Sequence, residues 1–167
     1  MKKLLLILLC MPLVGFGQNV NIPDANFKAY LVGEPSINTN GDSEIQVSEA
    51  TVFNGTIDCS FLNISDLTGI EAFTALTRLL CQSNQLTNLD VSQNTALIQL
   101  WCWVNQLTNL DVSQNTALTS FRCGVIAGGG GNQLTSLDVS SNTALISLHC
   151  HDNLLTILNC PLLDSFS

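Results

Sequence analysis

Basic residues are scarce in this sequence. The chain of 167 residues has five Lys and Arg against thirteen Asp and Glu, and its formal net charge at pH 7 is −8. Two of the five are Lys2 and Lys3, so only Lys28, Arg78 and Arg122 remain in the rest of the chain. A surface that binds nucleic acid or anionic lipid needs clustered positive charge. The composition therefore argues against nucleic acid and anionic membranes as partners.

Long apolar runs are also missing. A membrane-spanning helix needs about 20 apolar residues in sequence, and the apolar run near the start extends only from Leu4 to Leu9. It follows Lys2-Lys3 and precedes Gly15-Phe16-Gly17, which is the order of a basic segment, an apolar segment and a small-residue cleavage site. We therefore expect residues 1–17 to be a secretory signal peptide, with no membrane insertion of the mature protein. The product is expected to be secreted or held at the cell surface.

What the sequence does contain is a repeat with a period of 21 residues. The unit beginning NQLTNLDVSQNTAL occupies residues 84–104 and 105–125, returns at Asn132 and begins a last time at Asn153. Repeats of this length are typical of solenoids, in which each unit adds one coil and neighbouring coils bury a shared core. Each unit carries Leu-x-x-Leu-x-Cys-x-x-Asn-x-Leu, the leucine-rich repeat pattern with Cys in one Leu position. Its first strand is expected across residues 78–82, its second half is also expected to be extended, and asparagines of the Asn84 and Asn94 types are expected to close the two bends. We predict a mainly β, right-handed leucine-rich repeat solenoid with a parallel β-sheet over residues 54–160.

The cysteines follow the repeat. An even number of cysteines in an exported chain often forms a disulfide framework. In-register residues on parallel strands, however, stack about 4.8 Å apart, whereas a disulfide requires Cβ atoms about 3.8 Å apart. We therefore predict a buried ladder of free thiols, with disulfides between coils as the less favoured alternative. The ladder positions are Cys59, Cys81, Cys102, Cys123 and Cys150.

The segment from Asp66 to Ile70, followed by the LTxLDVSxNTALxxLxC units, resembles the internalin-type leucine-rich repeats of bacteria, specifically the 21-residue kind with a cysteine ladder. The resemblance covers about residues 55–160. It implies a leucine-rich repeat fold, and it implies adhesion or recognition of proteins at a cell surface. Fold resemblance does not by itself establish function, so the displayed side chains have to carry the functional argument.

Residues 18–53 precede the repeats, and we predict that they form an N-terminal cap over the open end of the apolar core. Asp24 is placed to cap a short helix that continues to Leu31. Phe27, Tyr30 and Leu31 recur at helical spacing and are expected on one face of that helix.

The cap also contains a stretch that resembles an EF-hand calcium loop. Asn38, Asn40, Asp42 and Glu49 supply oxygen side chains at loop positions 1, 3, 5 and 12. Asn38 replaces the usual first Asp, and Ser43 replaces the Gly that makes the sharp turn. We expect weak calcium binding at most, and a turn without metal is equally compatible with these residues. Calcium is the cofactor that the sequence favours, and His149 with His151 offers a less favoured start for a different metal site.

Side chains that point outward from the predicted strands form columns along the sheet, because strand side chains alternate. Both tryptophans and both histidines of the chain fall in these columns. Displayed Trp beside Arg is typical of a binding hot spot. The predicted binding residues are Trp101, Trp103, Arg122, His149 and His151, with Leu80, Arg78 and Gln99 at the rim. The columns are Arg78, Gln99, Ser120 and Ser147; Leu80, Trp101, Arg122 and His149; and Gln82, Trp103, Gly124 and His151.

These residues favour non-covalent binding over catalysis. Cys150 is predicted to point inward while His149 and His151 point outward, so no nucleophile lies beside a base. The expected function is adhesion or protein recognition through the strand face. A glycan-binding module that uses the paired tryptophans and a passive structural module of a longer surface protein are the alternatives.

Two further segments stand apart from the regular repeat. Residues 126–131 interrupt it with four consecutive glycines, which predicts a flexible insertion. Residues 161–167 follow the last unit without a recognisable cap. An apolar solenoid end without a cap tends to associate, so self-association through this truncated end is a further expectation.

Overall fold

A computed structural model describes residues 17–124 and 131–160. The predicted signal peptide apart from Gly17, residues 126–130 of the glycine insertion, and the predicted C-terminal end at 161–167 lie outside the described residues. No helix within the described ranges is long and apolar enough to cross a membrane.

Two short helices precede the coils. Helix α1 spans Ala25–Gly33, and the Asp24 carboxylate accepts hydrogen bonds from the backbone N–H groups of Asn26 and Phe27 at 2.9 and 3.0 Å. Phe27 and Leu31 are fully buried. The predicted cap residue and the predicted apolar face of this helix are therefore confirmed. Helix α2 spans Val47–Ala50.

The coils contribute one short strand each to a parallel sheet. Its strands pair in the order β1-β2-β3-β4-β6, and β5 and β7 form a separate parallel pair on the opposite side of the coil. The predicted solenoid with a parallel β-sheet is confirmed. The strands are β1 Thr56–Asp58, β2 Arg78–Leu80, β3 Gln99–Trp101, β4 Ser120–Arg122, β5 Ser136–Asp138, β6 Ser147–His149 and β7 Ile157–Asn159.

The core is a stack of side chains that repeats from coil to coil. Leu79, Leu100 and Phe121 occupy equivalent positions at the centres of neighbouring strands and are fully buried. The ladder cysteines lie behind them, fully buried from Cys59 to Cys123, and every cysteine of the described ranges is a free thiol. The thiols act as small apolar fillers, as the spacing predicts.

A ladder of buried asparagines locks each coil to the one before it at the first bend. The Asn105 side chain accepts a hydrogen bond from Leu86 N–H at 3.0 Å and donates to the carbonyls of Cys81 and Cys102, both at 3.0 Å. One side-chain amide thus bonds several backbone groups that the bend would otherwise leave without a partner. The same arrangement recurs at Asn84, Asn132 and Asn153.

A second asparagine ladder closes the other bend. Asn115 is fully buried and donates to the carbonyls of Val91 and Asn94, both at 2.9 Å. Asn94 and Asn142 likewise donate to carbonyls of the coil that precedes their own. The sequence correctly assigns both asparagine types to the bends.

The structure corrects the predicted extent of the strands. A strand across residues 78–82 was expected, but β2 ends at Leu80, and Gln82, expected outside, is only 7% exposed. The chain turns at Ser83, whose φ is +57°, and this left-handed residue begins the bend. Both faces of every coil were expected to be extended, yet the opposite side carries assigned strands only at β5 and β7 within the described residues.

Candidate functional site

The parallel register creates the predicted columns on the outer side of the sheet. Leu80 pairs with Trp101, Trp101 with Arg122, and Arg122 with His149. The first column forms in the same way, from Arg78 through Gln99. We call this outer surface of β2, β3, β4 and β6, together with the residues that directly follow those strands, the strand face.

Trp101 and Arg122 form a stacked pair at the centre of the strand face. The guanidinium carbon of Arg122 lies 4.4 Å from the centroid of the Trp101 ring, a distance typical of a cation–π contact. The indole N–H of Trp101 donates to the Ser120 hydroxyl at 3.4 Å. The Arg122 Nε is buried and has no hydrogen-bond acceptor among the described residues. The contact positions the guanidinium against one face of the indole without neutralising its charge.

Trp103 contacts an aromatic residue that the sequence analysis missed. The rings of Phe61 and Trp103 meet edge to face, with centroids 6.4 Å apart and planes at 80°. Phe61 is 67% exposed, and its φ of +59° is unusual for a bulky residue. One signal was present in the sequence: Phe61 precedes Ser83 by the same offset that separates Cys59 from Cys81. The first unit departs from the regular repeat, so this equivalence of Phe61 and Ser83 is hard to recognise.

The remaining predicted residues differ in their exposure. His149 is half-buried and His151 is exposed. Gln82 in the same column as His151 is buried, and its side-chain oxygen has no donor among the described residues. Within the part of the chain that the structure describes, no group of three or more His, Cys, Asp or Glu residues is arranged to hold a metal ion.

Glycines next to the insertion allow the following coil to approach closely. A Cβ atom on Gly124 would overlap the carbonyl oxygen of His151, and one on Gly131 would overlap that of Asp152. Gly124 and Gly131 therefore both lie against the backbone of the following coil, at His151 and Asp152. Only glycine fits at these two positions.

The two arginines of the strand face keep their charge available. The ion pair found among the described residues joins Lys28 to Glu44 in the N-terminal segment, at 2.6 Å. Neither Arg78 nor Arg122 pairs with a carboxylate of the described ranges. Arg78 is exposed, so two of the three basic side chains in the described ranges lie on the strand face of this acidic chain.

The predicted calcium loop is closed by its own hydrogen bonds. Glu49 is buried and accepts from the N–H groups of Thr39, Asn40 and Gln46 at 2.8, 3.2 and 3.0 Å. Burial alone raises the pKa of Glu49, but these hydrogen bonds outweigh burial and lower the pKa below its ordinary 4.5. The carboxylate therefore serves as an internal cap for the loop.

The other proposed calcium ligands also have partners within the loop. The side-chain N–H groups of Asn40 and Gln46 donate to Asp42 Oδ2, both at 3.0 Å. Asn38 donates to the carbonyls of Val32 and Asp42 at 3.0 and 2.7 Å. A cation bound here would require the Asn40 and Gln46 amides to turn their oxygens toward it, because calcium takes oxygen ligands. Calcium binding by Asn38, Asn40, Asp42 and Glu49 stays a prediction.

The buried thiols of the ladder have raised pKa values and low reactivity. Burial raises the pKa of Cys59 and Cys123 to about 12 and raises the pKa of Cys81 and Cys102 well above the ordinary 9.0. The thiolate is the nucleophilic form of cysteine. These side chains stay protonated at neutral pH and serve packing.

Comparisons with known proteins point to the internalins. No protein-family model matches the chain. Internalin J of Listeria monocytogenes serotype 4b (strain F2365) is 42% identical over 73 residues, which cover 43% of this chain and 8% of that protein. The solved functional domain of InlJ from Listeria monocytogenes, which includes a cysteine ladder, is 37% identical with a TM-score of 0.67. That comparison covers 86% of this chain and 33% of the solved chain.

A more distant structure shows the same fold. The crystal structure of internalin C2 from Listeria monocytogenes strain 4b F2365 is 15% identical, has a TM-score of 0.60, and matches over 85% of this chain and 77% of its own. The present chain spans about a third of the InlJ domain and a smaller share of full internalin J. The cysteine ladder and the repeat lead to one conclusion: the chain is homologous to part of internalin J and has the leucine-rich repeat fold of the internalins.

Proposed function

We propose that this protein is exported and recognises other proteins at a cell surface through its strand face. The observation that carries the proposal is the Trp101–Arg122 stack, a half-exposed aromatic residue beside an unneutralised planar cation. Such pairs are enriched at the centres of protein interfaces. The resemblance to internalin-type repeats implies the same role, adhesion or recognition at a cell surface.

The architecture suits binding by a preformed surface. Trp101, Arg122 and His149 lie on strands that are hydrogen-bonded in register. A partner that docks on such a sheet orders little additional backbone, so a larger part of the interaction energy remains as affinity. Because the side chains of the core point to the other side of the sheet, the displayed residues are free to serve recognition.

Binding accounts for these residues better than catalysis does. A cysteine nucleophile would need a thiolate beside a base. Burial raises the pKa of Cys150, whereas His149 lies at the end of β6 on its outer side and His151 is exposed after the strand. No nucleophile–base pair follows from this arrangement.

A glycan-binding module remains the alternative, because sugars pack on exposed tryptophan rings. One face of Trp101 is occupied by Arg122 at 4.4 Å, which leaves less free ring surface than two open tryptophans would offer. This contact favours a protein ligand. A passive structural module is the other alternative, and it predicts that replacement of the strand-face residues changes no binding.

The test is a binding screen of the mature protein against arrayed extracellular proteins and arrayed glycans. We expect protein ligands whose signal disappears in the Trp101→Ala/Trp103→Ala variant. Thr108→Ala is the matched control, because Thr108 is exposed and lies outside the strand face. Protein ligands that bind the double variant as strongly as the unchanged protein would contradict the proposal, and ligands found only among the glycans would favour the alternative.

We also propose that the last described coil mediates self-association. Leu154 and Ile157 are 62% and 57% exposed, and all three residues of β7 are exposed. Exposed apolar strands at a sheet edge tend to pair with another chain. Sedimentation velocity should show concentration-dependent dimers that Leu154→Lys/Ile157→Lys abolishes, whereas Ile146→Lys, at another exposed apolar residue, should leave them unchanged. A monomer at every concentration would disprove this proposal.

A further inference from the structure

The centre of the strand face has the opposite charge to the rest of the protein. The chain carries thirteen acidic residues, and both of its arginines lie in the columns of this face. Lys28 lies elsewhere and is paired with Glu44. Asp58 is the carboxylate on β1 at the edge of the same sheet, and its Oδ1 accepts hydrogen bonds from the Ser60 N–H and hydroxyl. The surface around Arg122 is therefore complementary to an acidic partner.

Arg122 is held in a form that suits carboxylate recognition. Its guanidinium stacks on the Trp101 ring, which restricts its orientation before any partner arrives. No described carboxylate neutralises it. A planar guanidinium binds a carboxylate through two parallel hydrogen bonds, and a position fixed in advance reduces the entropy lost on binding.

An apolar surface lies next to this cation. Trp103 follows Trp101 by two residues, and the Phe61 ring packs edge to face against it. Phe61 is mostly exposed despite its strained backbone, and the neighbouring Leu62 is exposed as well. The bend of its coil accounts for this φ, because Ser83, Val104 and Asp152 take it at the equivalent places. Contact with an apolar side chain of a partner would account for a bulky, exposed aromatic ring at this position.

We propose that the strand face binds a protein segment in which a carboxylate lies beside an apolar side chain. The carboxylate pairs with Arg122, and the apolar side chain packs against Phe61 and Trp103. This inference rests on the proposed function and adds the chemistry of the partner. An acidic polysaccharide fits less well, because a sugar that stacks on Trp101 competes with Arg122 for the same ring.

The experiment is a selection of random peptides displayed on phage against the immobilised mature protein. Peptides that also bind the Trp101→Ala/Trp103→Ala variant are removed by counter-selection. We expect the remaining peptides to be enriched in Asp or Glu next to an apolar residue. Their synthetic forms should bind more weakly as salt rises.

Single substitutions then test the two parts of the site with the selected peptides. Arg122→Gln should weaken binding about tenfold or more, because it removes the paired charge. Arg122→Lys should weaken it less, and Phe61→Ser should weaken it without changing the salt dependence. Lys28→Gln is the matched control: it removes one positive charge outside the strand face and should leave the affinity unchanged.

The outcomes separate this inference from the proposed function. Enriched peptides without acidic residues, or acidic peptides insensitive to Arg122→Gln, would overturn the carboxylate inference and leave the protein-binding role intact. Absence of any enrichment over the double variant would count against both. Polygalacturonate serves as the polysaccharide probe: binding that depends on Arg122 and exceeds that of the selected peptides would overturn the choice of a protein partner.

Discussion

At the scale of single residues, the ladder cysteines differ in their access to solvent. Cys59, Cys81, Cys102 and Cys123 are buried, and burial raises their pKa values, whereas Cys150 at the end of the ladder is only half-buried. Thiol reactivity requires access and a thiolate.

We therefore predict ordered alkylation of the native mature protein by iodoacetamide at pH 8, read by peptide mass spectrometry. Cys150 should react first, together with the half-buried Cys160, and the four buried ladder thiols should react only after unfolding in urea. Equal labelling of all six cysteines under native conditions would show that the ladder is open to solvent. Absence of labelling at Cys81 in urea without reductant would show that it is not a free thiol.

Two carboxylates of the N-terminal segment predict an acid transition. Burial alone raises the pKa of Asp24, but hydrogen bonds from Ser65, Phe27 and Asn26 outweigh it and lower the pKa below 3.8; the pKa of Glu49 is likewise lowered from 4.5. A lowered folded-state pKa stabilises the protein above the unfolded value, and this stability is lost as pH falls through the folded value. Thermal unfolding temperatures should therefore decline as the pH is lowered from about 4.5.

Substitution identifies the source of that decline. Asp24→Asn/Glu49→Gln should have a lower unfolding temperature at neutral pH and a weaker pH dependence between pH 5 and 3. Glu34→Gln, a change at a half-buried acid near the end of α1, is the control and should retain the original profile. An unchanged profile in the double variant would mean that other carboxylates govern acid unfolding.

At the scale of the element, the bends after the strands require a left-handed residue. Ser83, Val104 and Asp152 take φ values of +57°, +50° and +55° at equivalent places in their coils. A β-branched side chain is the most strained in this conformation, whereas Asn tolerates it. The left-handed φ of Val104 therefore strains the backbone at this bend.

Val104→Asn should raise the free energy of unfolding by about 1 kcal/mol, since the left-handed conformation costs roughly 1–2 kcal/mol in an unfavourable residue. Urea denaturation followed by circular dichroism measures the change. Ser83→Asn is the matched control at the same bend position, where no β-branched residue is replaced, and its effect should be smaller. A loss of stability in Val104→Asn would show that Val104 contributes packing that exceeds its strain.

The asparagine ladders predict a large effect from a small change. Asn115 donates from one buried amide group to two carbonyls of the preceding coil. Asn115→Ala should lower the free energy of unfolding by about 1–3 kcal/mol, because it removes two buried hydrogen bonds that each contribute about 0.5–1.5 kcal/mol, while the backbone N–H groups of Asn94 and Leu97 still reach the two carbonyls. Asn109→Ala, at an exposed asparagine of the same coil, should cost little in the same denaturation experiment. Equal effects of the two substitutions would contradict the structural role of the ladder.

At the scale of the whole molecule, the coils around the glycine insertion depend on one close contact. A Cβ atom at Gly124 would overlap the backbone carbonyl of His151 in the following coil. Gly124→Ala should therefore loosen the coil that carries β6, and hydrogen exchange should rise at Leu148 and Cys150 while β2 remains protected. Gly33→Ala is the control, because nothing lies within 4 Å of its added methyl group. Unchanged exchange would mean that the backbone shifts at little cost.

The repeat makes much of the molecule predictable from the sequence. Identical spacing places Leu79, Leu100 and Phe121 in one stack, and the pairing of Trp101 with Arg122 follows from the same register. Two features could not be read from the spacing. Gln82 is buried because the chain turns directly after β2, and Phe61 reaches Trp103 from a coil whose sequence departs from the repeat. Bend geometry and irregular units depend on tertiary contacts that periodicity does not encode.

The asparagine bonds give the solenoid a direction. Each bend asparagine completes the coil before its own, as Asn105 does for Leu86 and Asn153 for Leu134. Stability in such an array is a sum of coil and nearest-neighbour terms. A disturbance at one end therefore fades within a coil or two instead of unfolding the whole chain. A mechanical pull beyond the last described coil would therefore detach coils one after another, and Trp101, which lies two coils before β6, would keep its stacked partner Arg122 until the coil of β6 had yielded.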